Sequence, residues 1–436
     1  MLDVMKLLEY FINDFFLPFL AFITALFIFA AIYGYREEAK KRRTPSQTQK
    51  LGYSPFFYGS PVSPDQFIGR QKEVRRLAGR IVTGQSSAIT GTFRSGKTSI
   101  LKYLMAPETQ IELYGDRADS IIFSNLDANT LKTECDQTEF WERILEPLQQ
   151  RIHTKAANSS LAQAYQLCQK NAFENRALEK LIAQIKQFNW QLVLMIDEFD
   201  ALLMRPHLNH TEFFGGLRGL VSQSDGALIL LMTINTSLTE LHQKTKPFSK
   251  SGSPYFNFLD EIVLGDLSDA DAEQLLGPGD AYFTDEDCHF IINLAGKYPY
   301  FLQVVASALW ESYKTEPEKD SFKRQHEVKK ESYRRINIIL NHIWQSWTPT
   351  KRKAFTAVAL KNSDPLQRVI NKQSIDIKER IDNDVGFKSA LDELEKQGFV
   401  KQEGEHVKHN WQIYPTIWLT FLADQPKQIL RELFSE

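Results

Sequence analysis

Residues 91–98 read Gly91-Thr92-Phe93-Arg94-Ser95-Gly96-Lys97-Thr98 and satisfy every fixed position of the spacing G-x-x-x-x-G-K-[ST]. No other stretch restricts the fold as much. Two glycines let the backbone curl until successive N–H groups point inward, a concavity that suits phosphate oxygens. Lys97 is spaced to bridge the β- and γ-phosphates of a nucleotide, and the Thr98 hydroxyl to ligate Mg²⁺. Such a loop needs a strand before it and a helix after it. Ser86-Ser87-Ala88-Ile89-Thr90 supplies a short apolar strand, and Ser99 to Leu104 continues a helix opening near Lys97, its positive end toward the anion. A Gly-rich surface turn is the competing reading, and the flanking pattern opposes it.

A nucleotide site also needs an acidic strand to hold the metal and orient water. Trp190-Gln191-Leu192-Val193-Leu194-Met195-Ile196-Asp197-Glu198 has the apolar run of a central parallel strand buried on both faces. Its acids fall at the C-terminal end, where ligands bind in open α/β sheets. Asp197 is assigned to the Mg²⁺ shell and Glu198 to the base that polarises an attacking water. Read alone, the pair would equally well cap the following helix. A further run, Ala227 to Thr236, is expected to lie beside the acidic strand and to bring Asn235 near the γ-phosphate; a plain strand-to-turn exit is the alternative. Ile121 to Leu126 and Glu261 to Leu264 complete a five-stranded parallel set, and helical patterns at Glu139–Ile152 and Phe173–Phe188 alternate with the strands. The expectation is a doubly wound α/β fold.

Two further segments narrow the reading. Phe67-Ile68-Gly69-Arg70-Gln71-Lys72-Glu73 resembles the F-x-G-R-x-x-E segment that leads into AAA-type and STAND (signal-transduction) ATPases, and Gly296-Lys297-Tyr298-Pro299-Tyr300-Phe301-Leu302-Gln303 resembles their G-x-P-y-l-l-q helix start. The resemblance spans roughly residues 53 to 310. It implies ATP as ligand, with Phe67, Ile68, Arg70 and Pro299 beside the base, and a small helical lid after the core. It also implies assembly into homo-oligomers on ATP binding. One departure stands out: no arginine follows Thr233-Ile234-Asn235-Thr236-Ser237, where many STAND members carry one. Arg205 and Arg218 follow the acidic strand; either could serve in trans as an arginine finger, Arg218 being the better candidate, or sit in a surface ion pair.

Phe15 to Tyr33 carry no charge over nineteen positions, about 28 Å as a helix and close to the hydrocarbon thickness of a bilayer. A cleaved signal peptide would have a basic start and a shorter apolar core, whereas Asp3, Lys6, Glu9 and Asp14 precede this stretch. Arg36, Lys40, Lys41, Arg42 and Arg43 follow it at once. The positive-inside rule then puts the body in the cytosol and the N-terminus outside, as for a single-pass protein of the cell's inner membrane. Prolines with Ser, Gly and Gln between Thr44 and Pro64 read as an extended tether. Tyr53, Phe56, Phe57 and Tyr58 within it would dock on the body or meet lipid headgroups.

Charge is nearly balanced, 52 basic against 54 acidic residues, so no global basic field demands nucleic acid. Cys135, Cys168 and Cys288 lack metal or disulfide spacing. From Ser268 the pattern turns helical, with short amphipathic helices at Asp269–Leu276, Asp285–Leu294 and Pro299–Tyr313 and a charged helix near Lys319–Gln345. Helices at Thr350–Leu360 and Phe387–Gln397, then a hairpin around Glu403-Gly404-Glu405, resemble a winged helix. Its second helix reads Lys388-Ser389-Ala390-Leu391-Asp392-Glu393-Leu394-Glu395-Lys396, and these acids favour protein packing over DNA.

The expected organisation is an anchor at 1–36, a tether at 37–66, an ATPase core at 67–266, a helical lid at 267–317 and a linker helix with winged helix at 318–436. The expected activity is ATP hydrolysis, slow or partner-activated, driving a membrane-anchored STAND-type switch; defence roles known in that family are implied by resemblance alone. A protein activator is the expected partner, and nucleic acid is less favoured. An Orc- or transposition-type AAA ATPase acting on DNA, and a membrane scaffold that binds nucleotide without turnover, are the rival readings.

Overall fold

The computed structural model describes residues 53–245, 254–361, 363, 366–367, 384–402 and 411–425. The chain divides into two units, residues 1–55 with 278–282 and residues 56–277 with 283–436. Of the first, residues 53–55 and 278–282 are described, the latter closed by a turn in which Tyr282 N donates to Gly279 O at 2.8 Å. Among the described residues no helix is long and apolar enough to cross a membrane. The stretch 15–33 and the basic cluster after it lie outside them.

In the second unit the order begins α1 (Gln71–Val82), β1 (Ser87–Thr90), α2 (Lys97–Met105), α3 (Pro107–Tyr114) and β2 (Ile121–Asp127). It continues α4 (Gln137–Ile144), α5 (Glu146–Lys155), α6 (Ser160–Lys170), α7 (Asn175–Gln187) and β3 (Gln191–Asp197). Then come α8 (Thr211–Gln223), β4 (Leu228–Ile234), α9 (Leu238–Thr245) and β5 (Asp260–Val263). All five strands pair in parallel in the order β2-β3-β4-β1-β5. Every residue of β3 and β4 is buried. Strand periodicity divides them between two cores: Leu192, Leu194 and Ile196 join Leu228, Leu230 and Met232 on one face, while Val193 and Met195 join Ile229 and Leu231 on the other. Helices α4 to α8 cover the first face, and α1 and α2 the second. That double cover explains why the strand sequences are continuously apolar rather than alternating.

The expected helix at Glu139–Ile152 is two helices that change over at Leu145. Pro147 explains the break, because its ring cannot follow an unbroken turn and it sits instead in the first turn of α5. Helices α3 and α6 had no counterpart in the sequence reading; α3 starts on Pro107, and α6 is capped by the Ser159 hydroxyl, which accepts from Ala162 N at 3.2 Å.

After β5 the chain is helical: α10 (Asp269–Leu276), α11 (Asp285–Ala295), α12 (Pro299–Thr315), α13 (Ser321–Ser346) and α14 (Pro349–Lys361). Helix α15 (Val385–Lys396) leads into an antiparallel pair, β6 (Val400–Gln402) and β7 (Trp411–Ile413), and α16 (Ile417–Asp424) follows. The turn with Glu403 and Glu405 lies outside the described residues. An aromatic cluster holds this module together: Trp347 stacks on Trp418 at 5.1 Å, and Phe355 and Phe399 meet the same indole edge-on. Lys351, buried on α14, bridges Glu393 of α15 at 2.7 Å and Glu240 of α9 at 3.4 Å, so the module is pinned to the sheet domain.

The closest approach is at Gly265-Asp266, just after β5. A Cβ on Gly265 would lie 2.1 Å from the carbonyl oxygen of Lys396. Gly265→Ala must therefore push the end of α15 away from the core. Overpacking of this kind costs about 1–3 kcal/mol, and a lowered denaturation midpoint with faster proteolysis after α15 is the expected result. Beside it, burial pushes the Asp266 carboxyl up to about 7, against the pull of Lys297, Lys401 and Arg70. A carboxyl raised above its ordinary 3.8 favours the folded state fully below that value, and the contribution is lost as pH rises through about 7. Melting temperature should therefore fall between about pH 4 and 7, and Asp266→Asn should flatten that fall; calorimetry across the range checks it.

Candidate active site

The loop after β1 passes Arg94 at φ 66° and Gly96 at φ 100° before α2 begins at Lys97. Gly96 fits its left-handed conformation without strain, whereas Arg94 holds one that side chains seldom adopt. With the backbone turned in this way the Lys97 side chain folds back into the loop. Its Nζ donates to Gly91 O at 2.9 Å, Thr92 O at 3.1 Å and Asn235 Oδ1 at 2.7 Å. Burial pushes the Lys97 pKa down, and Glu198, Asp197 and Asp200 oppose the shift. The ammonium is thus a buried charge held by oxygens, within a ring of carboxylates.

Strands β3 and β4 end beside it. Thr98 Oγ1 donates to Asp197 Oδ2 at 2.7 Å, and Thr233 Oγ1 donates to Asp197 Oδ1 at 2.5 Å. Glu198 follows with φ 55°, a left-handed turn at the strand's end, and its N–H donates to Thr233 Oγ1 at 2.8 Å. Asn235 Nδ2 donates to the Glu198 carboxylate, so one amide links Glu198 to Lys97. Asn235 is itself fixed by a 2.6 Å bond from its N–H to Asp200 Oδ2. Burial pushes the Glu198 carboxyl up, and Lys97 and the Asn235 bond oppose that shift.

A cavity of about 420 Å³ opens over the loop. The loop residues Phe93 to Ser99 line it together with Phe67, Ile68, Arg70, Glu198 and Pro299. Four separate segments of sequence therefore converge on one space. Gly91 and Thr92 lie beneath it as acceptors for Lys97. Arg70 is buried and serves as a strut, its guanidinium donating to the carbonyls of Gly265 and Asp266. Phe67 stacks on Tyr103 at 4.6 Å. Pro299 opens α12.

A second cavity of about 570 Å³ adjoins the first through Phe93 and Glu198 and includes Asn235, Asp200 and Arg205. Arg205 donates to Leu131 O at 2.9 Å and to Ala128 O at 3.4 Å, so internal carbonyls hold it rather than offering it to a neighbour. Arg218 is on α8, bonded to Pro254 O at 3.3 Å, and lines neither cavity. The structure does not bring it to the site of its own chain.

Thr233, Asp200 and Tyr298 belong to the site without having been singled out as site residues in the sequence. Tyr298 is fully buried, and its hydroxyl pairs with Thr92 Oγ1 at 2.8 Å and donates to Phe93 O. Polar residues one or two positions before and after the acidic and Asn-bearing strand ends were the available signal. Thr233→Val strips a partner from buried Asp197 and an acceptor from Glu198 N–H. A buried polar group left unpaired costs about 1–3 kcal/mol; chemical denaturation should show a loss in that range.

The donor set fits Mg²⁺-ATP. Asp197 and Thr98 form a preassembled oxygen pair, and Ser95 Oγ is buried in the loop with no hydrogen-bond partner among the described residues. Residues 80–241 match the family model of an AAA domain. No curated protein matches the sequence. Among solved structures the chain is similar to a Walker-type ATPase of Pyrococcus abyssi, at 14% identity and a TM-score of 0.51 over 83% of this chain and 97% of that one. It is also similar to the ORC2 protein of Aeropyrum pernix, solved as ADPNP-ADP complexes, at 13% identity and a TM-score of 0.50 over 86% and 95%. A STAND protein with a tetratricopeptide repeat sensor from Pyrococcus horikoshii aligns at 12% identity and a TM-score of 0.34, over 87% of this chain and 46% of its own, too low a likeness to weigh in the choice. At these identities the likeness is one of fold.

Proposed function

We propose that this chain, an AAA-type P-loop ATPase with its AAA domain at residues 80–241, is an ATP-hydrolysing switch of the STAND kind, tied to a membrane by residues 15–33. The observation that carries the hydrolytic part is the joint placement of Lys97, Thr98, Asp197, Glu198 and Asn235 at the ends of β1, β3 and β4. Loop amides and Lys97 bind and neutralise the phosphates. Glu198, held at its strand's end by the Thr233 hydroxyl, accepts the proton of the attacking water, and Asn235 positions it. Thr98 and Asp197 would hold Mg²⁺, which when bound draws charge from the phosphate oxygens.

The switch part is supported by contacts between the site and the C-terminal module, which we read as a winged helix. Tyr298 places its hydroxyl on the loop and its ring 5.8 Å from Phe399 at the module's hairpin. His342 of α13 meets Phe93 edge-on at 5.9 Å. Exchange of ADP for ATP would disturb these contacts, release the module and permit self-assembly, with Arg218 offered in trans. The anchor would keep the ATPase domain on the cytosolic face, where ATP is. A protein partner would supply the signal.

A second reading, an Orc-type ATPase acting on DNA, is favoured by the fold shared with ORC2 over 86% of this chain. Opposing it, α15 exposes Lys388, Glu395 and Lys396 with Asp392 half-exposed beside them, a balanced surface rather than a basic one.

Phosphate release by the full-length chain, compared with Lys97→Ala and Glu198→Gln, tests the enzyme claim. Loss of a general base costs about 10²- to 10⁴-fold, so Glu198→Gln should retain nucleotide and lose turnover on that scale. Equal rates in all three proteins would remove the claim. Tight, salt-dependent binding of duplex DNA in a gel shift would decide for the second reading.

A further inference from the structure

Part of the lining of the nucleotide cavity is not made by the sheet domain. It is made by the end of the tether. Phe56 is buried and stacks on Phe283 at 5.8 Å. Phe57 N donates to Gln303 Oε1 of α12 at 3.1 Å. Tyr58 meets Tyr300 edge-on at 6.2 Å, and its hydroxyl accepts from Arg335 of α13 at 3.1 Å. Arg335 is held in turn by Glu311 at 2.8 Å and Glu331 at 2.7 Å. The strap then crosses the phosphate loop itself: Arg94 Nη1 donates to Gly59 O at 3.2 Å, and Val62 N donates to Ser99 Oγ at 3.3 Å. Arg94 also lies over the Tyr300 ring at 5.6 Å. Phe57, Tyr58 and Val62 line the cavity, and Phe57 is 40% exposed at its mouth, a large apolar face left for a ligand to cover.

We propose that the Phe56–Val62 strap is a nucleotide-dependent clamp: the base and ribose of a bound adenine nucleotide pack under Phe57 and Tyr58, so that nucleotide occupancy and docking of the N-terminal segment are coupled. The strap is attached to the body by single hydrogen bonds and ring contacts, not by a sheet or helix, and Phe57, Tyr58 and Val62 of it face the cavity. Filling the cavity adds contacts that only the docked strap can make. Coupling is reciprocal. Displacement of the strap from its N-terminal side, through a partner or tension on the tether, therefore loosens nucleotide. The inference rests on the nucleotide-site reading and not on the membrane reading.

The test uses the full-length chain in mild detergent, a fluorescent ADP analogue to measure binding, and limited chymotrypsin cleavage after Phe57 and Tyr58. Saturating ADP should slow cleavage there by about 5- to 100-fold, the usual range of coupling between sites. Lys97→Ala should abolish the protection. Tyr58→Ala should weaken ADP binding several-fold, and its melting temperature in the absence of nucleotide is measured beside it. Wild-type protein that binds ADP yet is cleaved at an unchanged rate overturns the clamp while leaving the ATPase reading intact. Absence of ADP binding by the wild type overturns both. If Tyr58→Ala melts early, the protection measured on wild type decides alone.

Discussion

One buried ammonium organises this molecule. Lys97 has left water, and a charge so placed needs oxygen partners in direct contact and opposite charge close by. The loop carbonyls of Gly91 and Thr92 provide the first, with the Asn235 amide. Asp197, Glu198 and Asp200 provide the second. For those groups to meet, β1, β3 and β4 must end at the same level, which the parallel order β2-β3-β4-β1-β5 achieves at its C-terminal edge. The two apolar cores on either face of the sheet hold that level.

Tyr298 carries the constraint outward. Its hydroxyl is committed to the loop at Thr92 and Phe93, and its ring is wedged between Phe301 at 4.6 Å and Phe399 at 5.8 Å. The loop, the lid and the C-terminal hairpin are therefore neighbours of one fully buried side chain. Gly265 adds a second junction, where the backbones of the core and α15 touch with no room for a methyl group. These two contacts leave the C-terminal module little freedom to move without disturbing the loop.

Much of this was readable in the residues. The spacing from Gly91 to Thr98, the apolar run ending in Asp197-Glu198 and the lid helices have local signatures, and strand and helix limits fell within a few positions. The five strands were legible because continuous apolar runs bounded by polar residues have few other uses. What was missed depends on partners distant in sequence. Nothing near Thr233 announces that its hydroxyl will serve both Asp197 and Glu198 N–H. Arg70, expected beside the base, lines the cavity, yet its guanidinium is used on the carbonyls after β5, 195 and 196 residues away. Helix α6 is amphipathic but sits in a long connection between β2 and β3 that no motif marks.

The link through Asn235 has a chemical consequence. Asn235 binds Lys97 with its oxygen and Glu198 with its nitrogen, so the phosphate-binding cation and the candidate base are joined through one amide. Phosphate oxygens entering the loop compete with Asn235 Oδ1 for Lys97, because an anion is the stronger acceptor for an ammonium in a dry site. The Asn235 amide therefore couples whatever neutralises Lys97 to the carboxylate at the end of β3.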